Sequence, residues 1–428
     1  MPGPLLIIFA RYPTPGKVKT RLARTIGAQA ACRLYRACTE RVLRQARKWA
    51  TGCGGHVRIC TAEPPDARWR LWLGEGWDLK PQREGDLGER MAAALHDGLS
   101  EGYAAAICIG TDAPGLTAGH LREACRALRR SDAVVGPAAD GGYYLIGLKT
   151  PAPALFEGIA WSTGSVLAQT RAAARLACLR LTEIRPLSDL DTAGDLWGGA
   201  GPVSIVIPAL NEQAEIGACV ASALMMGPSE VIVADGGSRD GTQELARRAG
   251  ARVIASRPGR GVQLNAGGAA ASGETLWFVH ADCRLGPLAL WEMGRALLDP
   301  AVAGGGFELS IDPAPGWLKV LEVTANIRTR LLGTPYGDQA MFVRRATFEK
   351  IGGFPDWPLM EDIEMARRIR GAGKLVIVPS PATASARRWA LGGVARTYVT
   401  TVMVQLGYHL GEPPEVLARL YDRGRHLR

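Results

Sequence analysis

Two acidic residues in the second half of the chain follow short apolar runs. Asp235 ends the run EVIVAD, and Asp282 comes three residues after the run TLWFV. A carboxylate at the end of a buried strand can accept hydrogen bonds from a base or a ribose, or give an oxygen ligand to a hard divalent cation. We therefore predict that Asp235 contacts a bound nucleotide and that Asp282 is a ligand of a hard divalent cation. The alternative for Asp282 is a simple strand-terminating aspartate.

Three more acids in this half have alternative roles. Asp240 follows Asp235 in the segment ADGGSRDGT, whose glycines let the backbone approach a ligand closely. Asp240 either contacts that ligand or caps the next helix. Glu361 and Asp362 begin a helical pattern, and acids in a first turn favourably oppose the helix dipole. Taken alone, this pair is explained by that structural role.

The first half gathers four cations in the segment RYPTPGKVKTRL, namely Arg11, Lys17, Lys19 and Arg21. The segment contains a loop and the start of a helix, and cations beside a helix N-terminus make a site for anions such as phosphate. A solvated basic surface is the alternative.

Acidic and glycine-rich segments of the first half extend this pattern. Asp112 follows a strand in AICIGTDAPGLT, and LSDLDTAGDL offers Asp189 and Asp191. These carboxylates are predicted to bind a metal. The segments EGDLGERM and GPAADGGYYLIGL suit close backbone contact with a nucleotide, through the glycines Gly85, Gly88, Gly141 and Gly142.

Strands and helices must alternate to bring these residues together. Buried runs such as LLIIFA, AAAICI and VSIVIPA are each followed by a polar loop and a helical pattern. This alternation predicts an α/β fold in both halves, with mostly parallel sheets that helices cover on both faces. Ligands of such sheets bind at the carboxyl ends of the strands, where the polar loops lie.

Length and composition set the outer limits of the prediction. A chain of 428 residues suits two domains, which we expect at 1–196 and 203–428, joined by the linker GDLWGGAGP at 194–202. The formal charge of +10 favours anionic partners. Nine scattered cysteines without a C-x-x-C pair favour a reducing cytoplasm, and no apolar run is long enough to span a bilayer.

The second half resembles the family 2 glycosyltransferases of the GT-A fold. Five segments carry the resemblance in the family's order over about residues 203–385: VSIVIPALNE, DGGSRDGT, GRGVQLNAGGAAASGE, HADCRLG and GDQAMFVRRATFEKIGGFPDWPLMEDIEMARRIR. The resemblance implies a metal-dependent, inverting transferase with a nucleotide-sugar donor and a small or lipid-linked acceptor. It assigns the nucleotide site to Pro208, Asn211, Glu212 and Asp235, the diphosphate to Arg260, and the general base to Glu361 or Asp362. It also assigns the metal, Mg²⁺ or Mn²⁺, to Asp282.

The chain departs from this family in two respects. Many relatives have Asp-x-Asp where this chain has His280-Ala281-Asp282, so the first acid is replaced by a histidine. The Gln-x-x-Arg-Trp block and the membrane helices of the processive synthases are missing as well. A single sugar transfer is therefore predicted rather than polymerisation.

The first half resembles the compact nucleotidyltransferases, especially 2-phospholactate guanylyltransferase, and an uncharacterised glycosyltransferase-like family close to it. The segments KTRL, DLGERM, GTDAPGLT, DGGYYLIGL and DLDT carry this resemblance over about residues 4–196. Both resemblances together imply two tandem Rossmann-like domains of the nucleotide-diphospho-sugar transferase (GT-A) type. In the first domain, Lys17 and Arg21 would bind a nucleoside triphosphate, while Asp112 and Asp191 hold Mg²⁺.

Three interpretations follow for the whole chain. In the leading one, a bifunctional enzyme activates a sugar with its first half and transfers it with its second. In the next, one active transferase carries a non-catalytic scaffold. A nucleic-acid-binding protein is disfavoured, because the cations cluster in Gly-rich loops beside strand-end acids. The basic tail at 387–428 is predicted to form amphipathic helices that dock onto the transferase or contact the inner face of the membrane.

Overall fold

The structure of the protein is a computed structural model that describes residues 3–312, 316–385 and 394–426. The chain divides into two compact units, Met1–Asp195 and Leu196–Arg428. Each unit contains its own β-sheet with helices packed on it.

The sheet of the first unit is seven-stranded and has the order β3-β2-β1-β4-β6-β5-β7. In chain order its strands are β1 (Leu5–Ala10), β2 (His56–Thr61), β3 (Asp78–Pro81), β4 (Ala106–Ile109), β5 (Ala133–Pro137), β6 (Tyr143–Leu148) and β7 (Leu181–Glu183). Strands β3, β2, β1 and β4 are parallel, β6 is antiparallel to both neighbours, and β7 is parallel to β5. The carboxyl ends of β1 and β4 therefore lie side by side.

Helices cover both faces of this sheet. They are α1 (Thr20–Ile26), α2 (Ala28–Cys53), α3 (Ala67–Leu73), α4 (Leu87–Ser100), α5 (Ala118–Leu128) and α6 (Val166–Leu176), with a 3₁₀ turn at Pro153–Leu155. Leu6 and Ile8 of β1 pack in one hydrophobic cluster with residues of α2 and α5, whereas Leu5 and Ile7 pack in another with residues of α4 and α6. Burial on both faces explains why LLIIFA is apolar throughout.

The sheet of the second unit is eight-stranded and has the order β10-β9-β8-β11-β14-β13-β15-β12. Its strands are β8 (Val203–Ala209), β9 (Glu230–Asp235), β10 (Arg252–Ala255), β11 (Thr275–Phe278), β12 (Cys283–Leu285), β13 (Val302–Asp312), β14 (Phe342–Arg344) and β15 (Lys374–Ser385). The first four strands of that order, β10 to β11, are parallel, as are β13 and β15, and the other pairings are antiparallel.

The helices of the second unit also pack against its sheet. Their bounds are α8 (Ile216–Leu224), α9 (Thr242–Arg248), α10 (Arg260–Ala270), α11 (Ala289–Ala296), α12 (Gly316–Leu332), α13 (Arg345–Lys350) and α14 (Glu361–Ala372), with a 3₁₀ turn at Gly337–Gln339. Leu264 of α10 and Met365 of α14 lie in one hydrophobic cluster with Val206, Ile232 and Leu276 of the sheet. The predicted α/β fold with mostly parallel sheets is thus confirmed.

The segment predicted as a linker is folded in the structure. The short helix α7 (Ala193–Trp197) is followed by a 3₁₀ turn at Gly198–Ala200. The indole Nε1 of Trp197 donates to the carbonyl of Gly227 at 2.9 Å, and the Thr275 hydroxyl donates to the carbonyl of Ala200 at 2.6 Å. The Gly-rich composition therefore reflects tight packing rather than an open connection.

Two helices close the described chain, α15 (Val394–His409) and α16 (Pro414–His426). Val404 of α15 and Leu417 of α16 are buried against Met360 and Ile363 at the start of α14. The tail therefore docks on the second unit, as one of the two predicted alternatives requires. In the part of the chain that the structure describes, no helix is long and apolar enough to cross a membrane.

Candidate functional site

Three parallel strands of the second unit end next to each other. Ala209 of β8 pairs with Asp235 of β9, and Val206 of β8 pairs with Phe278 of β11. Pro208, Asp235 and the loop that carries Asp282 therefore leave the sheet at one edge, as expected for the carboxyl ends of parallel strands.

Asp235 combines deep burial with an incomplete set of hydrogen bonds. Its side chain is 1% exposed, and its Oδ1 accepts from the backbone N–H groups of Gly237 and Ser238 at 3.1 and 3.0 Å and from the Gln243 amide at 2.8 Å. No group of the described residues donates to its Oδ2. A buried acceptor without a donor is unfavourable, so a ligand that donates here would gain a favourable contact.

Asn211 joins the loops that follow β8 and β9. Its backbone N–H donates to the Ser238 hydroxyl and its Oδ1 accepts from the N–H of Arg239, both at 2.9 Å. It has a left-handed backbone conformation, with φ at 56°, which is uncommon outside glycine. The N–H of Glu212 donates to Thr242 Oγ1 at 2.8 Å. These two predicted nucleotide-site residues thus shape the loop around the strand ends.

Asp240 lies directly before Gly241, the N-cap of helix α9. Its Oδ1 accepts from the N–H of Thr242 at 3.0 Å and its Oδ2 accepts from the N–H of Gln213 at 3.3 Å. Hydrogen bonds from Thr242 and Gln213 lower the pKa of Asp240. These contacts match the helix-capping alternative, because the carboxylate accepts the first N–H of α9, and a contact between Asp240 and the nucleotide stays a prediction.

A buried amide that the sequence analysis did not assign ties these loops to the sheet. Gln263 of α10 is 4% exposed, and its Nε2 donates to the carbonyls of Ala209 and Ala234 at 2.7 and 2.9 Å. In the sequence, Gln263 could have been recognised as a polar residue on the apolar face of the helical pattern GVQLNAGG. Gln263 fixes both strand ends next to the N-terminus of α10.

Arg260 and Glu361 connect that helix to α14. Arg260 Nη1 donates to Glu361 Oε1 at 3.0 Å, with the Arg260 side chain 42% exposed and that of Glu361 1% exposed. Glu361 Oε2 is buried and accepts no hydrogen bond from the described residues. Burial raises the pKa of Glu361, which outweighs the opposing effect of Arg260. The preceding residue, Met360, has a left-handed backbone with φ at 68°, a strain of the kind found at functional sites.

Asp362 has a different environment. Its Oδ2 accepts from the N–H of Gly337 at 2.7 Å, and its Oδ1 accepts from the N–H of Ile363 at 2.8 Å. A Cβ atom at Gly337 would lie 2.7 Å from the imidazole of His280. Gly337 therefore lets the loop that carries His280 and Asp282 pack against the start of α14.

Asp282 is half-buried, and its carboxylate forms no hydrogen bond or ion pair with the described residues. Its carbonyl accepts from the N–H of Ser385 at 3.2 Å, which fixes the backbone. An uncommitted carboxylate at a strand end fits a hard divalent cation. Among the described residues no group of three or more acids, histidines or cysteines is arranged to hold a metal, so a cation at Asp282 would need further oxygens from its ligand and from water.

In the first unit, the predicted phosphate-binding and metal-binding residues lie together. Residues 17–21 line a cavity of about 350 Å³ together with Arg11, Tyr35, Asp112 and Asp191. Arg11, Lys17 and Arg21 are exposed. Three loop segments contribute to this cavity. They are the loop after β1, the loop after β4 that carries Asp112, and the segment before Ala193 that carries Asp191.

Lys19 is buried in this cavity and bridges two acids. Its Nζ lies 2.6 Å from Asp112 Oδ1 and 2.7 Å from Asp191 Oδ1, and its side chain is 3% exposed. Burial alone would lower the pKa of Lys19, but the two carboxylates raise it above its usual value. The predicted metal-binding pair is thus occupied by an ammonium group.

A second cavity of about 290 Å³ shares Arg11, Tyr35 and Asp112 with the first. Apolar and aromatic side chains such as Leu87 and Tyr143 line much of it. The Tyr35 hydroxyl accepts from the N–H of Arg11 at 2.8 Å and donates to its carbonyl at 3.1 Å. Sequence analysis missed Tyr35, since nothing in the pattern of α2 separates it from the core.

Asp189 also lines the second cavity. Burial, followed by the charges of Asp112, Asp140 and Asp191, raises the pKa of Asp189 to about 7. Because burial is the largest cause, the raised pKa reflects the enclosed position of Asp189 first and its acidic neighbours second.

The four glycines predicted to approach a nucleotide line neither cavity. A Cβ atom at Gly88 would lie 2.3 Å from the indole of Trp161, so Gly88 is needed for helix packing. Gly141 has φ at 88° and lies against the carbonyl of Gly164. Gly85 precedes the cap of α4, and Gly142 donates to Asp140 Oδ1 at 2.9 Å. Each of the four thus has a local structural contact, and their approach to a nucleotide stays a prediction.

Two family models match separate parts of the chain. Residues 45–163 match a family described as an uncharacterized protein conserved in bacteria (DUF2064), and residues 204–352 match glycosyl transferase family 2.

Among curated proteins, the chain is similar to the glucosyl-3-phosphoglycerate synthases of Mycobacterium tuberculosis and Mycobacterium bovis. In both cases the identity is 34% over 137 residues, which cover 29% of this chain and 41% of the relative. The matched region thus spans less than half the length of these relatives.

Two solved structures are similar over about half of the chain. One is described as a nucleotide-diphospho-sugar transferase from Desulfovibrio desulfuricans, with 33% identity, coverage of 46% of this chain and 84% of that chain, and a TM-score of 0.43. The other is glucosyl-3-phosphoglycerate synthase from Mycobacterium tuberculosis with Mn²⁺, uridine diphosphate and glucosyl-3-phosphoglycerate, with 25% identity, coverage of 50% and 84%, and a TM-score of 0.37.

Proposed function

We propose that the second unit is a glycosyltransferase that takes a sugar from a nucleotide-sugar donor. The match of residues 204–352 to glycosyl transferase family 2 supports this activity, as does the 34% identity to glucosyl-3-phosphoglycerate synthases over 137 residues. The observation that carries the proposal is the pair of buried carboxylates, Asp235 and Glu361, each with one oxygen that no described residue satisfies. Helix α10 connects the two through Gln263 and Arg260.

In this proposal the donor nucleotide lies over the ends of β8 and β9. Asp235 Oδ2 accepts a hydrogen bond from the nucleoside, and Pro208 and Asn211 shape the loop beside it. The exposed part of the Arg260 guanidinium attracts the diphosphate. Asp282 would hold a divalent metal, which, when bound, offsets negative charge on the departing nucleoside diphosphate.

Glu361 is the proposed general base, because its Oε2 is the oxygen without a protein donor. It takes the proton of the acceptor hydroxyl as that oxygen attacks the anomeric carbon. The bond between the sugar and the diphosphate breaks, its electron pair stays on the diphosphate oxygen, and the configuration inverts. Asp362 is a positioning residue in this mechanism, since both of its oxygens accept backbone N–H groups.

For the acceptor, a small phosphorylated acid is the first candidate, because the curated relatives are named as synthases of glucosyl-3-phosphoglycerate. A lipid-linked acceptor is the second, since apolar side chains are exposed on α12, on α15 and in the turn after α15, namely Val320, Val323, Ile327, Leu331, Val399, Met403, Leu406 and Leu410. These exposed apolar side chains would also provide the predicted peripheral contact with the membrane. Two measurements distinguish these acceptor classes. One is the rate of sugar transfer to a phosphorylated acid and to a lipid-linked acceptor, and the other is binding of the protein to anionic vesicles.

The donor test is a panel of nucleotide sugars with Mn²⁺ or Mg²⁺, with release of nucleoside diphosphate as the measured product. We expect Asp282→Ala and Glu361→Gln each to lower the rate by roughly 100-fold or more, and Asp235→Asn to raise the KM of the donor. Asp240→Asn, a change in the cap of α9, is the matched control and should retain most activity. A fully active Asp282→Ala protein would defeat the metal assignment.

We also propose that the first unit binds a nucleoside triphosphate and acts as a nucleotidyltransferase that makes the activated donor. The cavity lined by Arg11, Lys17 and Arg21 supports an anionic ligand. A sugar phosphate would attack the α-phosphorus, and pyrophosphate would leave. Pyrophosphate release across a panel of triphosphates and sugar phosphates tests this activity, and its complete absence would favour the scaffold alternative.

A further inference from the structure

The position between Asp112 and Asp191 is already occupied by Lys19. One ammonium group lies 2.6 Å from Asp112 Oδ1 and 2.7 Å from Asp191 Oδ1. Both distances are those of short, charge-assisted hydrogen bonds. The Lys19 side chain is 3% exposed, whereas the two carboxylates are 49% and 41% exposed, so the cation is the deeper partner.

The backbone at Lys19 is arranged for this contact. Lys19 is the N-cap of α1 and has φ at 49° and ψ at 46°, a left-handed conformation that non-glycine residues adopt rarely. Lys17 and Arg21, two residues away on either side, are exposed. The turn therefore buries one cation of the segment and leaves its neighbours on the surface.

This arrangement does not fit a metal ion at the same acids. Mg²⁺ requires oxygen ligands at about 2.0–2.1 Å in an octahedral arrangement. Here one oxygen of each carboxylate already accepts from the ammonium group, and a divalent ion beside it would meet strong like-charge repulsion. Metal binding would require Lys19 to leave its buried position.

We propose that Lys19 is a built-in cation that takes the place of a divalent metal at Asp112 and Asp191. The phosphate groups of the first unit's ligand then bind to the exposed cations Arg11, Lys17 and Arg21 in the 350 Å³ cavity without a bridging metal ion. The inference rests on the proposal that this unit binds a phosphorylated anion, and it is independent of the transferase activity of the second unit.

The first test measures Mn²⁺ binding to the full chain in an Asp282→Ala background, which removes the candidate metal ligand of the second unit. Free Mn²⁺ is followed by electron paramagnetic resonance. We expect no stoichiometric binding while Lys19 is present, and a new site in Asp282→Ala/Lys19→Met. One bound Mn²⁺ that persists with Lys19 intact and disappears with Asp112→Asn would overturn the proposal. Because that comparison uses intact Lys19, it decides the question even if Lys19→Met fails to fold.

The second test measures pyrophosphate binding to the full chain by calorimetry in buffer that contains EDTA. We expect binding that weakens at least tenfold in Lys17→Ala/Arg21→Ala and is unchanged in Lys48→Ala, an exposed lysine far along α2. If pyrophosphate bound only in the presence of a divalent ion, the proposal that Lys19 replaces the metal would be wrong. Absence of pyrophosphate binding under all conditions would instead count against the proposed ligand of the unit, while the Mn²⁺ result still decides the role of Lys19.

Discussion

Glu361 and Asp362 are adjacent in the sequence, but the fold gives their carboxylates different surroundings. Both oxygens of Asp362 accept backbone N–H groups, whereas Glu361 pairs with Arg260 through one oxygen and keeps the other buried and unsatisfied. Only the second arrangement leaves an acceptor for a substrate proton. The choice between the two acids therefore depends on hydrogen bonds that the sequence does not reveal.

The raised pKa of Glu361 predicts the pH dependence of sugar transfer. The base must be ionised, so the rate of nucleoside diphosphate release should fall on acidification at a higher pH than an ordinary glutamate would give. Glu361→Gln should be slower at every pH and lose this transition. A wild-type profile that stays flat down to the ordinary glutamate pKa, about 4.3, would contradict a buried base.

The same shift predicts how stability changes with pH. A raised carboxyl pKa means that the folded state holds the proton more tightly, so ionised Glu361 costs stability as pH rises through its folded pKa. In urea unfolding, Glu361→Gln should match the stability of the wild type near pH 4 and exceed it at pH 8. The gain should be about 1.4 kcal/mol for each tenfold difference in the acid dissociation constant of Glu361 between the folded and unfolded states.

Glu364, one turn further along α14, is the matched control with the opposite sign. Hydrogen bonds from Arg367 and Arg368 lower the pKa of Glu364. Its stabilising contribution is present above the ordinary pKa and lost as pH falls through the folded pKa. Glu364→Gln should therefore be less stable than the wild type at pH 8 and approach it under acid conditions. If Glu361→Gln and Glu364→Gln changed stability with pH in the same direction, the environments assigned to these two carboxylates would be wrong.

At the scale of elements, the sequence predicts those strands and helices well whose formation depends on residues close together in the chain. The apolar runs before Asp112, Asp235 and Asp282 are strands because local patterning sets strand position and burial. The pairing of Lys19 with Asp191 joins residues 172 positions apart, and a distance of that kind is visible only in the fold. The same limit applies to Gly88, which looked like part of a ligand loop but faces Trp161.

Gly88 provides a test of packing between helix α4 and the segment that carries Trp161. An added Cβ atom would lie 2.3 Å from the indole ring, so Gly88→Ala should lower the free energy of unfolding by about 1–3 kcal/mol. Gly52 in α2 has no atom within 4 Å of an added Cβ. Gly52→Ala should be neutral or stabilising by up to about 1 kcal/mol. Similar losses of unfolding free energy in both variants would contradict the packing explanation for Gly88.

The C-terminal helices provide a second element-scale test. Leu417 of α16 is buried against the turn that presents Glu361, whereas Leu410 is 84% exposed. Leu417→Ala should lower the free energy of unfolding by about 2 kcal/mol or more and slow sugar transfer, because the start of α14 loses its support. Leu410→Ala should leave unfolding within about 0.5 kcal/mol of the wild type. Full transferase activity in Leu417→Ala would show that the C-terminal helices do not support the active site.

At the scale of the whole molecule, each unit has the parts of an independent domain. Residues 1–195 contain a seven-stranded sheet with hydrophobic clusters on both faces, and residues 196–428 contain an eight-stranded sheet with its own cluster. Both lengths lie in the range of single domains. The division between the two units falls after Asp195, inside the short helix Ala193–Trp197. Because the Trp197 indole donates to the carbonyl of Gly227 in the second unit, separation is best made between Asp195 and Leu196.

Separate expression of 1–195 and 196–428 tests this organisation and the division of labour together. Each fragment should unfold in one cooperative transition, because each keeps its own sheet and core. The second fragment should retain nucleoside diphosphate release from the donor, and the first should retain pyrophosphate binding in EDTA. The Glu361→Gln and Lys17→Ala/Arg21→Ala variants serve as inactive controls within their own fragments. If the second fragment folds cooperatively but transfers no sugar until the first is added back, the two units form a single catalytic assembly and the assignment of one complete activity to each is wrong.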